Sequence, residues 1–249
     1  MTISNEEDLL RLREIGRIVA DTLKEMAGAM EPGMTTAELD GIGLAALERE
    51  GARSAPAMTY DFPGTTCISI NEAIAHGIPG QRVIRAGDLV NIDVSAEKAG
   101  YFADTGGSFA VPPVALDIER LCQDGRKALH QGIKTVKAGS RISDIGASIE
   151  KFARRNNYTL IKNLASHGVG SALHEAPTEI ATWRNPADRR RITKGMVFTI
   201  EPFLSLGSEW ALDAPQEDDP WTLYSDRGTP TVQYEHTLVA TDRGAIILT

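Results

Sequence analysis

The amino-acid sequence predicts an α+β fold in which two pseudo-symmetric halves, 1–112 and 113–249, form a single domain. In each half, two amphipathic helices precede a segment with the alternating pattern of strands. The segments "GDLVNID" and "GMVFTIE" match when aligned, and the last position of each is an acidic residue. No Pro/Ser-rich linker separates the halves, which favours one fused unit. We therefore expect a functional site between them.

Four helices are predicted, two in each half. The first begins near the candidate cap Ser4 and has apolar residues at helical spacing, namely Leu9, Leu12, Ile15, Val19 and Leu23. The second covers "TTAELDGIGLAALERE" after the breaker "EPG". The corresponding pair covers "LDIERLCQDGRKALHQGIKTVKAG" and "ISDIGASIEKFARR". Gly33 and Gly139 precede the second helix of each pair at the same offset, which supports a duplication.

The matching segments of the two halves contain acidic residues and histidines. "GDLVNID" ends in Asp93 and "GMVFTIE" ends in Glu201. The shorter segments "AHGI" and "SHGV" similarly place His76 against His167, although the unequal spacings require insertions between the copies. Two acids and two histidines thus occupy equivalent places in the two halves.

Composition and charge exclude several classes of protein. The chain has 249 residues, 42% of them hydrophobic, which is enough for a sizeable core. A net charge of −8 argues against a nucleic acid substrate, since that affinity needs clustered Lys and Arg. The N-terminal segment lacks the apolar core of a signal peptide, and no run is long enough to span a membrane. We expect a cytoplasmic protein, with two cysteines that form no disulfide framework.

The stretch "NIDVSAEKAGYFADTG" predicts a hairpin with an acid on each arm. If the turn centres between Lys98 and Ala99, Asp93 and Asp104 lie directly opposite each other, with Cβ atoms about 5 Å apart. Like charges at that distance repel. The two acids are therefore either solvated on an exposed ribbon or neutralised by a bound cation.

Two further strands add carboxylates. Glu201 ends "MVFTIE" on the same face as Val197 and Thr199, and "VQYEHTLVAT" places Gln233, Glu235 and Thr237 on one face. Either glutamate alone is compatible with an exposed strand face. If all four carboxylates share one core they need neutralisation, which two divalent cations and one imidazole would provide. His167 is the candidate imidazole; a hydrogen-bonded loop histidine is the alternative.

The sequence resembles the type I methionine aminopeptidases of the pita-bread fold. In that fold, helices pack on a curved antiparallel sheet around a central dinuclear metal site. The segments that carry the resemblance are "CISINEAIAHGIPG", "NIDV", "ADTG", "SHGVGSALHEAP", "MVFTIEP" and "QYEHT". The resemblance covers nearly the whole chain. It implies five metal ligands, namely Asp93, Asp104, His167, Glu201 and Glu235.

The resemblance also implies roles in catalysis and substrate binding. His76 and His174 become substrate-contacting catalytic histidines, and Glu201 relays a proton. The pocket for the methionine side chain falls on Phe62, Cys67, Leu173 and Trp221, although each is also an ordinary core residue. Two residues depart from the common pattern, since Ser166 replaces a glycine and Leu173 replaces an aromatic residue. The ligands are unchanged, so the departures affect the expected shape of the pocket.

The implied function is metal-dependent removal of the initiator methionine from nascent proteins and peptides, with preference for a small second residue. The implied cofactors are two divalent ions, Co, Mn, Fe or Zn. We expect a monomer that acts on N-terminal Met peptides and nascent chains, with the ribosome as a further partner. A proline-directed aminopeptidase or dipeptidase on the same scaffold is an alternative, but those enzymes usually carry an additional N-terminal domain. A metal-free binding module of the same fold is a second alternative.

Overall fold

The computed structural model describes residues 1–215 and 218–249. Five helices lie in these ranges: α1 Glu6–Ala29, α2 Thr36–Arg49, α3 Ala55–Tyr60, α4 Leu116–Ile133 and α5 Ser143–Arg155. The four predicted helices are all present, as α1, α2, α4 and α5. The sequence analysis missed α3, whose six residues are too few for a helical period to be recognised.

The predicted cap of α1 is wrong by one residue. Asn5 is the N-cap, because its side chain accepts a hydrogen bond from the Asp8 amide. Ser4 instead donates to the Asp8 carboxylate through both its amide and its hydroxyl. Helix α2 begins with a complete capping box between Thr35 and Glu38.

Fifteen strands are present in the described ranges. They are β1 Arg53–Ser54, β2 Cys67–Ile70, β3 Ala73–Ala75, β4 Leu89–Lys98, β5 Tyr101–Ala110, β6 Thr159–Leu160, β7 Ser166–Gly168, β8 Glu175–Ile180, β9 Val197–Ile200, β10 Phe203–Ser205, β11 Ala211–Asp213, β12 Leu223–Ser225, β13 Thr231–Gln233, β14 His236–Thr241 and β15 Gly244–Ile247.

Within residues 1–215 and 218–249, the strand pairs are all antiparallel and divide among four sheets. Strands β1, β4 and β2 form one sheet with β5 paired to β4, and β15-β14-β9-β7-β8 form another. The other two sheets have three strands each, in the orders β13-β10-β6 and β11-β12-β3. In the described part of the chain, no helix is long and apolar enough to cross a lipid bilayer.

The register of the hairpin β4–β5 differs from the prediction. Asp93 is paired with Gly106 and Asp104 with Ser95, so the two acids are diagonal neighbours rather than directly opposite. The turn consists of Ala99 and Gly100, both with positive φ, which is the geometry of a tight two-residue hairpin turn. The turn therefore centres one residue later than predicted, which shifts the pairing of the arms by two positions.

The stretch predicted as one strand around Glu235 is interrupted. Strand β13 ends at Gln233 in one sheet, and β14 begins at His236 in another. Glu235 therefore lies where the chain passes between sheets, with its amide donating to the Gly106 carbonyl at 2.9 Å. Glu201 likewise follows the last residue of β9. Both glutamates lie just beyond the end of a strand, and Glu235 contacts the hairpin through its amide.

Buried apolar residues form two large clusters. One joins α4 and α5 to β9, β13 and β14, and includes Leu121, Ile149, Phe198 and Val232. The other joins α1 and α2 to β2, β4 and β5, and includes Ile15, Leu39 and Ile92. The helices of each half thus pack on strands that hold the acidic residues, and the division at 112/113 stays a prediction.

Candidate active site

A cavity of about 360 Å³ contains most of the predicted site residues. Its lining includes Asp93, Asp104, His167, Glu201, His76, His174, Phe62, Cys67, Leu173 and Trp221. Glu235 is almost fully buried at the edge of this group, with 2% of its surface exposed. The structure therefore brings together residues from both halves of the sequence, as expected for a site between them.

Three of the predicted ligands form a compact cluster. One ligand atom each from Asp104, His167 and Glu235 lie within 4.8 Å of one another, and all three residues are buried. Glu201 is close to the same imidazole, since His167 Nε2 is 3.4 Å from Glu201 Oε1 and 3.8 Å from Asp104 Oδ2. Asp93 lies beside Asp104 on the neighbouring arm of the hairpin and is partly exposed to the cavity.

The tautomer of His167 follows from its hydrogen bond. Its Nδ1 lies 3.1 Å from the Gly168 carbonyl, which can only accept, so Nδ1 carries the proton. The unprotonated Nε2 then faces the carboxylates. Desolvation, with a smaller contribution from His174, lowers the pKa of His167 to about 3. A neutral imidazole with a free Nε2 is the form that binds a metal ion.

The buried carboxylates of the site need a compensating positive charge when they are ionised. Desolvation raises the pKa of Asp93 to about 6, and burial together with neighbouring carboxylates raises the pKa of Asp104, Glu201 and Glu235 well above their ordinary values. Among the described residues, Asp104 Oδ1 and Glu235 Oε1 are buried without a hydrogen-bond partner. Oxygen-rich groups with unsatisfied lone pairs fit a hard divalent cation, so the residues present suit the metal that the resemblance implies.

Two buried threonines form hydrogen bonds with His167, Glu201 and Asp104. Thr199 accepts a hydrogen bond from the His167 amide at 3.1 Å and donates to Glu201 Oε1 at 2.9 Å. Thr237 bridges to the backbone of Asp104 by accepting from its amide and donating to its carbonyl. The sequence analysis named Thr199 and Thr237 beside the two glutamates but gave them no role.

The two remaining histidines lie at the cavity wall. The ring of His174 packs 4.0 Å from that of His167, measured between centroids, and its Nδ1 is 2.7 Å from the Tyr60 hydroxyl. Desolvation lowers the pKa of both His76 and His174, so both favour the neutral form. Tyr60 lines the cavity but was missed, because only α3 brings "TY" next to a residue 114 positions away.

The four predicted apolar residues all line the cavity. Phe62 and Trp221 pack edge to face, with ring centroids 5.4 Å apart and an interplanar angle of 87°. Cys67 and Leu173 are buried in the same lining. Phe203 and Leu164 also contribute and were not identified, since their sequence surroundings resemble those of ordinary core residues.

The raised pKa values predict how metal stabilisation depends on pH. A carboxyl whose folded-state pKa is raised stabilises the fold below its ordinary pKa, and this contribution is lost as pH rises through the folded-state value. For Asp93 that window runs from 3.8 to about 6. Metal binding requires deprotonated carboxylates and so strengthens over the same window.

We therefore expect the Tm difference between Mn²⁺-loaded and chelated protein to widen from about pH 5 to about pH 7.5, measured by scanning calorimetry in buffers of equal ionic strength. Using the difference cancels the contribution of carboxylates elsewhere, such as Asp124, whose pKa is lowered. A difference that stays constant across this range would mean that these carboxylates do not receive the ion.

A cavity lined by carboxylates and neutral histidines is typical of metal-dependent hydrolases. The sequence pattern of metallopeptidase family M24 matches residues 11–242. The chain belongs to this family.

Similar proteins cover the full chain. Methionine aminopeptidase 2 of Bacillus subtilis is 44% identical over 250 residues, covering 100% of this chain and 99% of the relative. The solved structure of methionine aminopeptidase from Rickettsia prowazekii superposes with a TM-score of 0.94 at 31% identity, with 100% of both chains covered. That from Thermotoga maritima gives a TM-score of 0.94 at 29% identity, with 100% and 99% covered. These similarities confirm the resemblance and the class of fold predicted from the sequence.

Proposed function

We propose that the chain is a methionine aminopeptidase that hydrolyses the first peptide bond of proteins and peptides beginning with methionine, with preference for a small second residue. The observation that carries the proposal is the placement of the Asp104–His167–Glu235 cluster beside an apolar cavity. The names of the relatives and the family of metallopeptidases support it.

We further propose that two divalent ions bind, with all five predicted ligands. Asp93, Asp104, His167, Glu201 and Glu235 would hold these ions through their carboxylate oxygens and the His167 Nε2. Co, Mn, Fe and Zn all suit this donor set, and availability in the cell selects among them. When bound, such ions lower the pKa of water and polarise a carbonyl group.

The chain's own residues then position the substrate and move protons. Glu201, held by the Thr199 hydroxyl, takes a proton from the attacking water and delivers it to the leaving amine. His174 donates a hydrogen bond to the oxygen on which negative charge develops. His76, which also lines the cavity, holds the scissile amide. Phe62, Cys67, Leu173 and Trp221 receive the methionine side chain, whose flexible thioether fills irregular apolar space.

The proposed setting of the enzyme is the cytoplasm, where it acts as a monomer on nascent chains, with the ribosome as a partner. The setting and the ribosomal partner follow from the substrate class, because an initiator methionine is removed while or soon after a chain is made. A proline-directed peptidase and a metal-free binding module are the competing assignments.

A peptide comparison separates the three assignments. We expect Met-Gly-Met-Met to be hydrolysed in the presence of divalent metal, Ala-Gly-Gly far more slowly than Met-Gly-Gly, and X-Pro peptides not at all, because the apolar cavity suits an unbranched thioether. Product formation is measured by liquid chromatography, with metal content determined on protein purified without chelator. Equal rates on the Ala and Met peptides would refute methionine specificity, and cleavage of X-Pro alone would favour the proline-directed enzyme. Protein that binds metal but cleaves no peptide, or binds none, would favour a binding module.

A further inference from the structure

A buried chain of two amides leads from the hairpin to Glu235. The Asn91 side-chain Nδ2 donates to Gln233 Oε1 at 2.9 Å, and Gln233 Nε2 donates to Glu235 Oε2 at 2.9 Å. Asn91, Gln233 and Glu235 are 6%, 1% and 2% exposed, so water does not compete for these groups. Asn91 belongs to β4 and Gln233 to β13, so the chain joins two different sheets.

The direction of this chain follows from the chemistry of its ends. A carboxylate that binds a cation is ionised and only accepts hydrogen bonds, so in that form of Glu235 the Gln233 amide must present its nitrogen to Glu235 and its oxygen to Asn91. Asn91 must then present its own nitrogen. The same nitrogen lies 3.3 Å from the Gly107 carbonyl, another group that can only accept. Asn91 is thereby held in one orientation, and it fixes that of Gln233.

Gln233 packs closely against the hairpin. A Cβ at residue 106 would lie 2.3 Å from Gln233 Oε1, so the glycine there allows the amide to approach the hairpin. The Gln233 backbone is held on both sides by Ser108, whose hydroxyl accepts from the Gln233 amide and donates to its carbonyl. Glu235 Oε2 accepts a hydrogen bond from Gln233, whereas Glu235 Oε1 has no hydrogen-bond partner among the described residues.

We propose that Asn91 and Gln233 are positioning residues that occupy Glu235 Oε2 and leave Oε1 as the oxygen available to a divalent cation. The inference rests on the proposed function in taking Glu235 as a metal ligand. It adds a cause for the carboxylate's orientation, because a flipped Gln233 amide would face Glu235 with an oxygen and repel it. Partners of this kind commonly change metal affinity about 10–100-fold.

The test is a double-mutant cycle read out as Mn²⁺ affinity by titration calorimetry on the metal-free full chain. Asn91→Asp replaces the amide donor to Gln233 by an acceptor. The Gln233 amide therefore flips, and the Mn²⁺ affinity falls about 10–100-fold. Gln233→Met keeps the approximate shape without the amide and causes a similar loss. In the Gln233→Met background, Asn91→Asp should have little additional effect, because its influence passes through the missing amide. A full, additive effect in that background would overturn the proposal.

Matched variants separate this result from general weakening and from failure of the proposed function. Asn71→Asp is the same amide-to-acid change near the start of β4, where Asn71 contacts Asp88 and Leu89 but no ligand, and it should lower the Tm without lowering Mn²⁺ affinity. Equal loss of affinity in Asn71→Asp and Asn91→Asp would overturn the positioning role. If Asn91→Asp does not fold, Gln233→Met alone decides, and unchanged affinity in it refutes the proposal. Glu235→Gln with undiminished affinity would instead refute the ligand assignment in the proposed function.

Discussion

Replacing His174 by alanine is expected to lower kcat about 10²- to 10³-fold while metal content stays near that of the wild type. His174 packs against the His167 ring but lies outside the Asp104–His167–Glu235 cluster. In the proposed mechanism its loss removes a hydrogen-bond donor to the substrate oxygen, and such a donor contributes mainly to the transition state. The measurements are steady-state kinetics on a Met-Gly peptide and metal analysis of the same preparations.

A control histidine is available on the surface. His130 is exposed on α4, and its Nδ1 lies 2.8 Å from the Arg126 carbonyl, so His130→Ala should leave kcat unchanged. If His174→Ala loses a metal ion, the residue acts as a ligand and its proposed role is wrong. An unchanged kcat with full metal content would equally contradict the role.

The Asp93→Asn substitution is expected to have opposite effects with and without metal. In chelator, the neutral amide relieves the cost of a partly buried carboxylate beside Asp104, so the variant should melt at or above the wild-type temperature. In Mn²⁺ it should melt lower, because an amide is a weaker ligand for a hard cation. Metal present at 100 times Kd stabilises the native protein by about 2.7 kcal/mol, which sets the size of the effect that can be lost.

The experiment compares wild type and Asp93→Asn, each with chelator and with Mn²⁺, by thermal melting. Peptide hydrolysis by the variant should fall by more than the roughly 100-fold typical of residues that only support a ligand. Asp213→Asn, an exposed aspartate on β11, is the matched control and should change neither melting nor activity. Equal destabilisation of Asp93→Asn in both conditions would mean that Asp93 supports the fold by a route other than metal.

The corrected hairpin register leaves the reason for the Asp93 prediction intact. The two acids are diagonal rather than opposite, yet the pKa of each responds to the other. Cross-strand diagonal positions are about 7–8 Å apart at Cα, which is within reach of two side chains that converge on one cavity. The two carboxylates therefore favour a bound cation because both side chains reach the same cavity, and not because they lie directly opposite each other.

Much of this molecule was determined by local sequence. The four long helices follow from apolar spacing and breakers, and the segments around Asp93, Asp104, His167, Glu201 and Glu235 were specific enough to identify the family, which the comparisons confirm. The roles of individual site residues stay predictions. Such features are readable because periodicity and short motifs depend on residues close together in the chain.

Only the tertiary structure decided how these residues meet. "EKAG" is compatible with more than one turn, and positive φ at Ala99 and Gly100 selected the register. The switch between sheets at Glu235 and the contact between Tyr60 and His174 depend on packing of distant segments. The chain from Asn91 through Gln233 joins residues 142 positions apart. No local pattern encodes such contacts, because their energies arise only when burial removes water from both partners at once.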